Sequence, residues 1–475
     1  MAEINEAQIQ EIVAKVIRNL QNEGQISSPA MQSSAFSGSQ LGVFSTVDQA
    51  IAAAKTAQSE FVKLGLAKRA GVIEAIKQAS LKHARHLAEL AVEDTKMGTV
   101  EHKVMKNEGA ANLSLGVADL QSEAETGDAG LLLVEYVPFG VINSITPSTN
   151  PTSTVINHAI IMLAAGNAIV FSAHPNAQRC TQEAMRVINE AIVEAGGPPN
   201  LLTAVSEATL RTAKEIMKHP NVSMLVATGG GSVVKAALSS GKKAIAAGPG
   251  NPPAIIDETA DLKEAAKDVI LGNSFDNNLL CISEKALFVV ESVANEVLRE
   301  LAQNSGYLTN PGERKAMESI VIKDGGANLD YIGKDACTIL EAARISAPSD
   351  TVSIVVEVPG THTFVMNEYL MPILPVVRVR NFDEAVKGAL VADGERKHTV
   401  MLHTNNTARI TQLTHEMSCS VVVVNAPSYA CAGLGGEGFL AMTIAGPTGE
   451  GFTRPRTFTR QQRLTVAGAL SAHTL

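Results

Sequence analysis

Short apolar runs that alternate with helix-length segments constrain the fold of this chain more than any other feature. Between residues 141 and 239 this alternation recurs, so the stretch consists of repeated strand–helix units. Strands joined in this way pair in parallel, with helices on both faces of the sheet. The predicted strands are Val141–Thr146, Ala168–Phe171, Leu201–Val205 and Val222–Ala227, and the predicted helices are residues 152–165, 178–194, 207–218 and 232–239.

A second series of strand–helix units is predicted to begin near Ala244. The chain has 475 residues, which is too long for a single hydrophobic core. We therefore predict an α/β protein with two doubly wound domains, one of residues 41–130 and 141–245 and one of residues 246–430. The strands predicted for the second domain are Ala254–Ile256, Ala286–Val290, Val352–Glu357, Val376–Val379, Thr399–His403 and Val421–Asn425.

Two further segments have the pattern of exposed strands. Residues 131–140 begin with the apolar run LLLVEYV, and residues 450–475 contain alternating residues typical of an edge strand. An unpaired strand edge can pair with another chain. These segments are predicted to form a small β oligomerisation flap, and the protein is predicted to be a homo-oligomer, a dimer or a tetramer.

The amino terminus is predicted to be a separate unit. Residues 1–20 place Ile9, Val13 and Val16 on one face of a helix, and residues 21–40 are rich in Ser, Gln and Gly. The first segment is predicted to be an amphipathic helix and the second a flexible linker. Such a helix can dock on its own enzyme or on another protein, and the tether favours another protein.

Charge and cysteine content exclude several classes of protein. The net charge is −9 and no basic tract is present, so nucleic acid is not an expected partner. The five cysteines are scattered without metal-ligand spacing, which indicates a reducing compartment and no metal site. The longest apolar runs are interrupted before membrane-spanning length, and no secretory signal is recognisable. The sequence predicts a cytoplasmic protein without a membrane partner.

Cys281 is the candidate nucleophile among the five cysteines. It lies in SFDNNLLCISEK, directly before the predicted strand Ala286–Val290. A nucleophilic cysteine is usually carried on a loop whose backbone N–H groups face the developing oxyanion. A buried structural cysteine is the competing interpretation, but the polar approach to Cys281 distinguishes it from the other four.

Asn150 and a glycine-rich turn are two further candidates. Asn150 lies in TPSTNPTST where a loop enters a helix, so its amide can donate to an oxyanion or can cap the helix. ATGGGSVV, which contains Gly229, Gly230 and Gly231, follows a strand and opens a helix. That turn suits a pyrophosphate, but it lacks the GxGxxG spacing and can equally be a tight turn.

Taken together, the motifs resemble a known family. TPSTNP, ATGGGS, AAGPGNPP, SFDNNLLC, EYLMPILPVVRV, APSYACAGLGGEGF and PTGEGFTRPRTF occur in the order seen in the aldehyde dehydrogenase superfamily. They look like its CoA-acylating branch, the acetaldehyde and propionaldehyde dehydrogenases of bacterial microcompartments. The similarity extends over residues 41–460, and NLLCISEK and APSYA lean towards the propionaldehyde enzymes.

The resemblance implies a fold, partners and a location. The fold would be aldehyde dehydrogenase-like, with residues 41–130 and 141–245 binding the dinucleotide and residues 246–430 carrying catalysis. Residues 1–20 resemble encapsulation peptides, which implies a microcompartment shell protein as partner. The protein would then lie inside a microcompartment in the cytoplasm.

The same resemblance assigns roles to individual residues. Cys281 would be the nucleophile, and Asn150 with the backbone N–H of Cys281 would form the oxyanion hole. His398 would lie near the CoA thiol, although it can also be a simple strand-end histidine. The residues implied to bind the dinucleotide are Pro147, Ser172, Thr228, Gly229, Gly230, Gly231 and Glu368.

Two departures from the family pattern are informative. Hydrolytic aldehyde dehydrogenases carry a glutamate that activates water, and Ala247 stands at about that place here. A thiol needs less base assistance than water, so CoA is the implied acyl acceptor. The lysine and glutamate that usually grip the adenosine ribose are absent from FSAHPNA at residues 171–177, so NAD is expected and NADP stays open.

The sequence therefore predicts CoA-acylating oxidation of a short aldehyde, with two competing hypotheses. A hydrolytic aldehyde dehydrogenase would release a free acid, and the missing glutamate near Ala247 argues against it. A non-catalytic microcompartment component would need only the amino-terminal helix, and the set of Cys281, Asn150 and Glu368 argues against that.

Overall fold

The computed structural model describes residues 41–471. The predicted helix at residues 1–20, the linker at residues 21–40 and the last four residues of the flap lie outside them. The described strands, in chain order, are β1 Val43–Phe44, β2 Glu123–Gly127, β3 Gly130–Pro138, β4 Val141–Ile145, β5 Ala168–Ser172, β6 Leu202–Val205, β7 Val222–Thr228, β8 Lys243–Ala247, β9 Pro253–Ile256, β10 Ala286–Val290, β11 Gly306–Leu308, β12 Ile322–Lys323, β13 Gly326–Ala327, β14 Ser353–Glu357, β15 Ile373–Val379, β16 Thr399–His403, β17 Val421–Val424, β18 Ile444–Ala445, β19 Gly451–Phe452 and β20 Thr459–Ala467.

Helices separate most of these strands, as the alternating pattern predicts. The described α-helices, in chain order, are α1 Val47–Phe61, α2 Gly65–Lys82, α3 Ala84–Thr95, α4 Val100–Leu113, α5 Pro151–Ala164, α6 Gln178–Glu194, α7 Leu210–Lys218, α8 Gly231–Leu238, α9 Leu262–Ser274, α10 Glu291–Gln303, α11 Pro311–Val321, α12 Ala336–Ala342, α13 Thr363–Met366, α14 Phe382–Asp393 and α15 Thr407–Met417. None of the helices in this part of the chain has the length and apolar character needed to cross a membrane.

The first large sheet has six parallel strands in the order β1-β6-β5-β4-β7-β8. Its central strands β4 and β5 are buried at every position, and α5 is buried along its whole length. These elements form one core with α1, α2 and α6 on the faces of the sheet. A continuous apolar run is what a strand covered on both faces requires, which explains why these strands are recognisable in the sequence.

The second large sheet has seven parallel strands in the order β11-β14-β15-β10-β9-β16-β17. Alternate residues of its strands contribute to two different cores. Phe288 packs in one core, whereas Leu287 and Val289 pack in the other. Because side chains of a strand point to opposite faces in turn, the sheet is covered by helices on both sides.

The predicted flap segments pair with each other in a third, antiparallel sheet. Strand β3 lies between β2 and β20, and residue Gly130 pairs with Ala467 at one end of the register. Asn167 fastens this sheet to the first large sheet, because its side chain accepts from the N–H of Phe139 and Gly140 and donates to the carbonyl of Phe458.

Three of the differences from the prediction have a clear physical reason. Strand β8 pairs with β7, so the stretch that begins near Ala244 closes the first sheet, and the second series starts one strand later. Strand β2 was not predicted, because EAETG is exposed and has no apolar pattern. Helix α4 was not predicted either, since its inward face begins with Lys103, Lys106 and Asn107 and is apolar only at its end.

Candidate active site

A cavity of about 280 Å³ lies where the two large sheets approach each other. Loops that follow strands of the first sheet line one side. The other side is lined by the loops that precede β10 and β15 and by residues 429–444, which follow β17. The polar and glycine residues of the lining include Lys106, Ser148, Thr149, Asn150, Thr228, Gly229, Gly230, Gly248, Cys281, Glu368 and Tyr429. The apolar residues include Pro147, Ala247, Leu280, Leu370, Leu434, Leu440, Met442 and Ile444.

The position of the cavity follows from the topology of the first sheet. The chain runs outwards from β4 through β5 and β6, and then returns to add β7 and β8 on the other side of β4. The loops after β4 and β7 therefore diverge from neighbouring strands, and this switch point is where doubly wound sheets bind ligands. Asn150 comes from the first of these loops and Gly229 from the second.

Cys281 is held by a loop with an uncommon backbone. Asp276, Asn277 and Asn278 all have φ between +48° and +66°. Asp and Asn tolerate this left-handed region better than other non-glycine residues. The side chains of these residues fix the loop: Asn277 donates to the carbonyl of Gly333, and Asn278 donates to the carbonyls of Asn273 and Glu284.

The thiol of Cys281 is partly buried at the cavity wall. Burial raises its pKa to about 12, the negative charge of Glu368 adds to this, and Lys285 lowers the pKa in the opposite direction. The backbone N–H groups of Cys281 and Ile282 also face the sulfur and lower its pKa. The resting thiol is therefore protonated near pH 7 and has backbone donors beside it.

Asn150 is the N-cap residue of α5, but its side chain makes no capping hydrogen bond. Its Oδ1 accepts from Lys106 Nζ at 2.6 Å, and its Nδ2 donates to Thr149 Oγ1 at 3.1 Å. The side chain therefore does not cap α5, which was the competing interpretation of this residue. It lines the cavity together with Cys281.

Two lysines and one aspartate form a buried ionic cluster beside these residues. Asp276 forms ion pairs with both Lys103 and Lys106, and all three side chains are at most 3% exposed. Burial raises the pKa of Asp276, but the two lysines and a backbone N–H from Thr99 outweigh burial and hold it below its usual value. The cluster joins the cysteine loop to α4.

The glycine-rich turn offers open backbone to the cavity. Gly229, Gly230 and Gly231 have ordinary φ values, and a Cβ added to any of them would meet no atom within 4 Å. Neither backbone conformation nor internal packing requires glycine here, so the open space fits a ligand that approaches the N-terminus of α8 closely. Thr228 and Thr443 hold the turn in place through their hydroxyl groups, 2.7 Å apart.

Glu368 lies across the cavity and forms an ion pair with Lys285, with Nζ 3.7 Å from Oε1. Burial raises the pKa of Glu368, and Lys285 lowers it. Lys285 also donates to the backbone and side-chain oxygens of Asn278, both at 2.7 Å. Glu368 is consequently tied, through Lys285, to the loop that carries Cys281.

The loop of AAGPGNPP packs directly against Cys281. Asn251 anchors it by donating to the carbonyls of Val365 and Ala392, both at 2.8 Å. A Cβ at Gly250 would lie 2.5 Å from the carbonyl oxygen of Cys281. Ala247 lines the cavity at the start of this loop, so the expected position of the missing glutamate faces the same space as the thiol.

Three of the predicted site residues do not line this cavity: Gly231, which begins α8 directly after the lining residue Gly230, and His398 and Ser172. His398 is buried behind Gly250, with its Cγ 3.6 Å from an added Cβ there, and its Nδ1 lies 2.8 Å from Thr399 Oγ1. Burial lowers the pKa of His398 to about 4. Ser172 lies at the end of β5 in a separate small pocket with Phe171 and Ala173, and it accepts from Asn143 Nδ2.

Sequence reasoning did not find Lys103, Lys106, Asp276 or Lys285. A usable signal exists for the first two, because lysines three residues apart in EHKVMKNEGAAN fall on one face of a helix whose other neighbours are small. Nothing in the sequence pairs that helix with SFDNN, since 170 residues separate Lys106 from Asp276.

Two parallel α/β sheets with a ligand-sized cavity between them define a doubly wound class of protein. A sequence profile described as "Aldehyde dehydrogenase family" matches residues 19–320. Together with relatives more than 40% identical over nearly the whole chain, this match shows that the chain belongs to the aldehyde dehydrogenase family.

Two enzymes of Salmonella typhimurium are among the similar sequences. The chain is 41% identical to the acetylating acetaldehyde dehydrogenase EutE, over 98% of this chain and 99% of that protein. It is 42% identical to a CoA-propanoylating propanal dehydrogenase, over 90% of this chain and 93% of that protein.

Solved structures share the fold over most of the chain. A propionaldehyde dehydrogenase from the fucose utilisation microcompartment of Clostridium phytofermentans superposes with a TM-score of 0.90, at 42% identity over 91% of this chain and 100% of that one. The propionaldehyde dehydrogenase of Rhodopseudomonas palustris with bound CoA and an acylated cysteine gives 0.89, at 40% identity over 91% and 99%. An engineered glycolyl-CoA reductase with bound NADP⁺ also gives 0.89, at 41% identity over 91% and 99%.

Proposed function

We propose that this protein oxidises a short aliphatic aldehyde to an acyl-CoA, with a nicotinamide dinucleotide as hydride acceptor and Cys281 as nucleophile. One observation carries the proposal: the thiol of Cys281 and Ala247 line the same cavity, and the lining carries a single carboxylate, Glu368, whose partner is Lys285. A nucleophile is therefore present without an unpaired carboxylate to activate water among the described residues of the lining. Similarity to enzymes of acetaldehyde and propanal supports a substrate of two or three carbons, with propionaldehyde as our first choice.

The first half of the reaction forms a thioester. The thiol of Cys281 gives up its proton to solvent, the resulting thiolate attacks the aldehyde carbon, and the carbonyl oxygen becomes an oxyanion. Nδ2 of Asn150 and the backbone N–H of Cys281 donate hydrogen bonds to that oxyanion. When the carbonyl re-forms, the aldehyde hydrogen leaves with its electron pair as hydride, and the acyl group stays on the sulfur. The dinucleotide supplies the acceptor for that hydride.

The second half transfers the acyl group to CoA. The thiol of CoA loses its proton and attacks the thioester carbon, the same donors hold the second oxyanion, and the Cys281 thiolate leaves. A thiol with an ordinary pKa near 8.5 ionises far more readily than water. Ala247 offers no carboxylate to activate water, so thiolysis outcompetes hydrolysis in this cavity.

The dinucleotide site is proposed from the open turn and its neighbours. Gly229, Gly230 and Gly231 would accept the pyrophosphate at the N-terminus of α8. Pro147, Thr228 and Glu368 line the same cavity, and Glu368 would hold the nicotinamide ribose. Ser172 would lie beside the adenosine, in the pocket at the end of β5. NAD is the proposed cofactor, and the bound NADP⁺ of a similar structure supports a test with both.

His398 is proposed to act during acyl transfer. Its imidazole is neutral because burial lowers the pKa to about 4, and its Nε2 makes no hydrogen bond within the described residues. A Cβ added at Gly250 would lie 2.5 Å from the carbonyl oxygen of Cys281 and 3.6 Å from Cγ of this ring, so Gly250 packs beside both. A small movement of the glycine loop would bring the neutral ring towards the CoA thiol, where it could accept the proton.

The deciding experiment measures NADH formation from propionaldehyde with and without CoA, together with the product. We expect multiple turnovers only with CoA and propionyl-CoA as product. Cys281→Ala should abolish both half-reactions, whereas Cys431→Ala, which removes another partly buried thiol of the same core, should not. Multiple turnovers without CoA, with propionate as product, would instead support a hydrolytic enzyme.

The partner and location are proposed from residues 1–20. Their resemblance to encapsulation peptides, and the microcompartment origin of a similar structure, support docking on a shell protein inside a bacterial microcompartment. Removal of residues 1–20 should leave activity intact and abolish co-sedimentation with purified shell protein. Equal co-sedimentation of the truncated and full-length proteins would refute this role.

Self-association is proposed through the flap of residues 131–140 and 450–475. Among residues 41–471, strand β20 pairs with β3 on one side and with no strand on the other, so that edge has backbone groups to offer. Leu464 on this strand is 54% exposed. A second copy of the chain would pair with that edge and cover it, and a dimer or tetramer in sedimentation velocity is the expected result.

A further inference from the structure

Helix α4 directs two lysines into the protein interior, where a single carboxylate of the described residues, that of Asp276, forms ion pairs with them. The ammonium groups of Lys103 and Lys106 both contact Asp276 Oδ2, and their side chains are 2% and 3% exposed. Burying a charge costs several kcal/mol unless it is paired. One lysine would suffice for the aspartate, so the second requires a further explanation.

The two lysines differ in what else they contact. Lys103 Nζ donates to the backbone carbonyl of Thr149 at 3.1 Å. Lys106 Nζ donates to the side-chain oxygen of Asn150 at 2.6 Å. Lys106 alone therefore joins Asp276, on the loop of the nucleophile, to the side chain of Asn150, at the start of α5.

The contact with Lys106 fixes the orientation of the Asn150 amide. An amide has an acceptor oxygen on one side and two N–H donors on the other, and the hydrogen-bond network decides which way it lies. The Nζ of Lys106, whose pKa burial lowers to about 7 although Asp276 raises it, donates to Oδ1 and so turns Nδ2 away. Thr149 accepts from Nδ2, and an amide nitrogen has a second N–H to offer to the cavity. A charged partner also polarises the amide and strengthens that donor.

We propose that Lys106 is a positioning residue for the oxyanion hole. It holds the Asn150 amide with its nitrogen towards the reacting carbonyl, and its ion pair with Asp276 fixes the spacing between that amide and the loop of Cys281. This inference rests on the proposed function, because it assigns Asn150 to the oxyanion. Lys103 supplies the control, since it neutralises the same carboxylate without contacting the amide.

The test compares Lys106→Met with Lys103→Met, each of which leaves Asp276 one cationic partner. The measurements are the pre-steady-state NADH burst, steady-state kcat and KM for propionaldehyde. Lys106→Met should slow the burst and kcat by about tenfold to a hundredfold with KM within about threefold, because the lost interaction belongs to the transition state. The fold decrease in the burst rate and in kcat should be at least five times smaller for Lys103→Met than for Lys106→Met.

A double-mutant cycle asks whether Lys106 acts through Asn150. In an Asn150→Ala background, Lys106→Met should lower the burst rate by a further factor of less than about three, because the amide that Lys106 positions is already absent. Losses that multiply, or equal losses in Lys103→Met and Lys106→Met, would overturn the proposal. Lys106→Gln provides a neutral donor of similar shape and should recover part of the burst, and it replaces Lys106→Met if that variant does not fold.

The outcome is separable from the proposed function. A parent enzyme that forms no propionyl-CoA refutes the function. A parent that forms it, with a Lys106→Met variant equally fast in the burst, refutes only the role of Lys106.

Discussion

Lys285 and Glu368 form a buried ion pair at the cavity, with Lys285 Nζ 3.7 Å from Glu368 Oε1. Both side chains act on the nucleophile: Glu368 raises the pKa of Cys281, and Lys285 lowers it. Burial is still the largest influence and keeps the thiol protonated. The charge of this pair is therefore a means by which the protein sets the thiolate population.

Glu368→Gln should make the thiol of Cys281 more reactive. Removing the negative charge lowers the pKa of Cys281, and at a pH well below that pKa the thiolate fraction rises in proportion. Alkylation by iodoacetamide at pH 8 should accelerate by about threefold to tenfold, which corresponds to a shift of half to one pKa unit. The same variant should raise KM for the dinucleotide. Glu284→Gln removes a buried carboxylate that contacts Ser428 instead, and a similar acceleration there would contradict the assignment to Glu368.

Ala247→Glu should convert part of the activity to hydrolysis. A carboxylate at this place in the cavity can accept a proton from water, and the acyl group on Cys281 would then be released as free acid. We expect sustained NADH formation without CoA and propionate as product. Ala247→Gln has the same shape without a base and should stay CoA-dependent. If both variants remain CoA-dependent, the absence of a base at residue 247 does not explain the choice of acceptor.

Gly250→Ala should impair both stability and catalysis. The new Cβ would lie 2.5 Å from the carbonyl oxygen of Cys281, so the nucleophile or the glycine loop must move. We expect a loss of about 1–3 kcal/mol in the free energy of unfolding and at least a tenfold lower kcat. Gly248→Ala is the control for stability, since its Cβ would meet only Val234 Cγ2, at 3.8 Å. Similar denaturant midpoints for the two variants would count against the contact.

Asp276→Asn should destabilise the protein strongly. The substitution leaves Lys103 and Lys106 buried without a counter-charge, and breaking a buried pair in this way costs about 3–5 kcal/mol. Urea unfolding monitored by circular dichroism measures the loss. Asp268→Asn removes a carboxylate that has no lysine pair of this kind and should change stability by much less. Equal losses in the two variants would mean that the cluster is not a distinct source of stability.

Three buried histidines should make stability fall as the pH falls below about 6.5, against the opposite contribution of Glu284, whose pKa burial raises to about 7. Burial lowers the pKa of His158 to about 3 and the pKa values of His398 and His403 to about 4. Between those values and 6.5 the unfolded chain binds protons that the folded chain does not, so each histidine removes up to about 1.4 kcal/mol per pH unit. Urea unfolding at pH 7.0 and pH 5.5 measures this. His403→Gln should reduce the dependence, and an unchanged dependence would contradict it.

Much of the fold could be predicted because its signals are local. Strand β5 was predicted at Ala168–Phe171 and extends to Ser172, and β10 at Ala286–Val290 has the predicted bounds. Buried parallel strands are continuous apolar runs, and such runs are legible in one sequence. Strand β2 has no such run and escaped prediction.

The sequence could predict only those site residues whose chemistry is indicated by the short motif around them. Cys281 and Asn150 were recognised within short motifs, and the structure brings both to one cavity. The partners of Asn150 were not recognisable, because Lys106 reaches it from a different helix and Asp276 comes from the other large sheet's loop. Pairing at such separations depends on tertiary packing, which no local pattern records.

The division of the cavity between two sheets has an evolutionary consequence. The open glycine turn belongs to the first sheet and its core, whereas Cys281 and Glu368 precede strands of the second, which has cores of its own. Substitutions far apart and without shared partners have nearly independent effects. The glycine turn can therefore change without altering Cys281, whereas Glu368, which raises the pKa of that thiol and would hold the nicotinamide ribose, must be kept by any lineage that exchanges its dinucleotide.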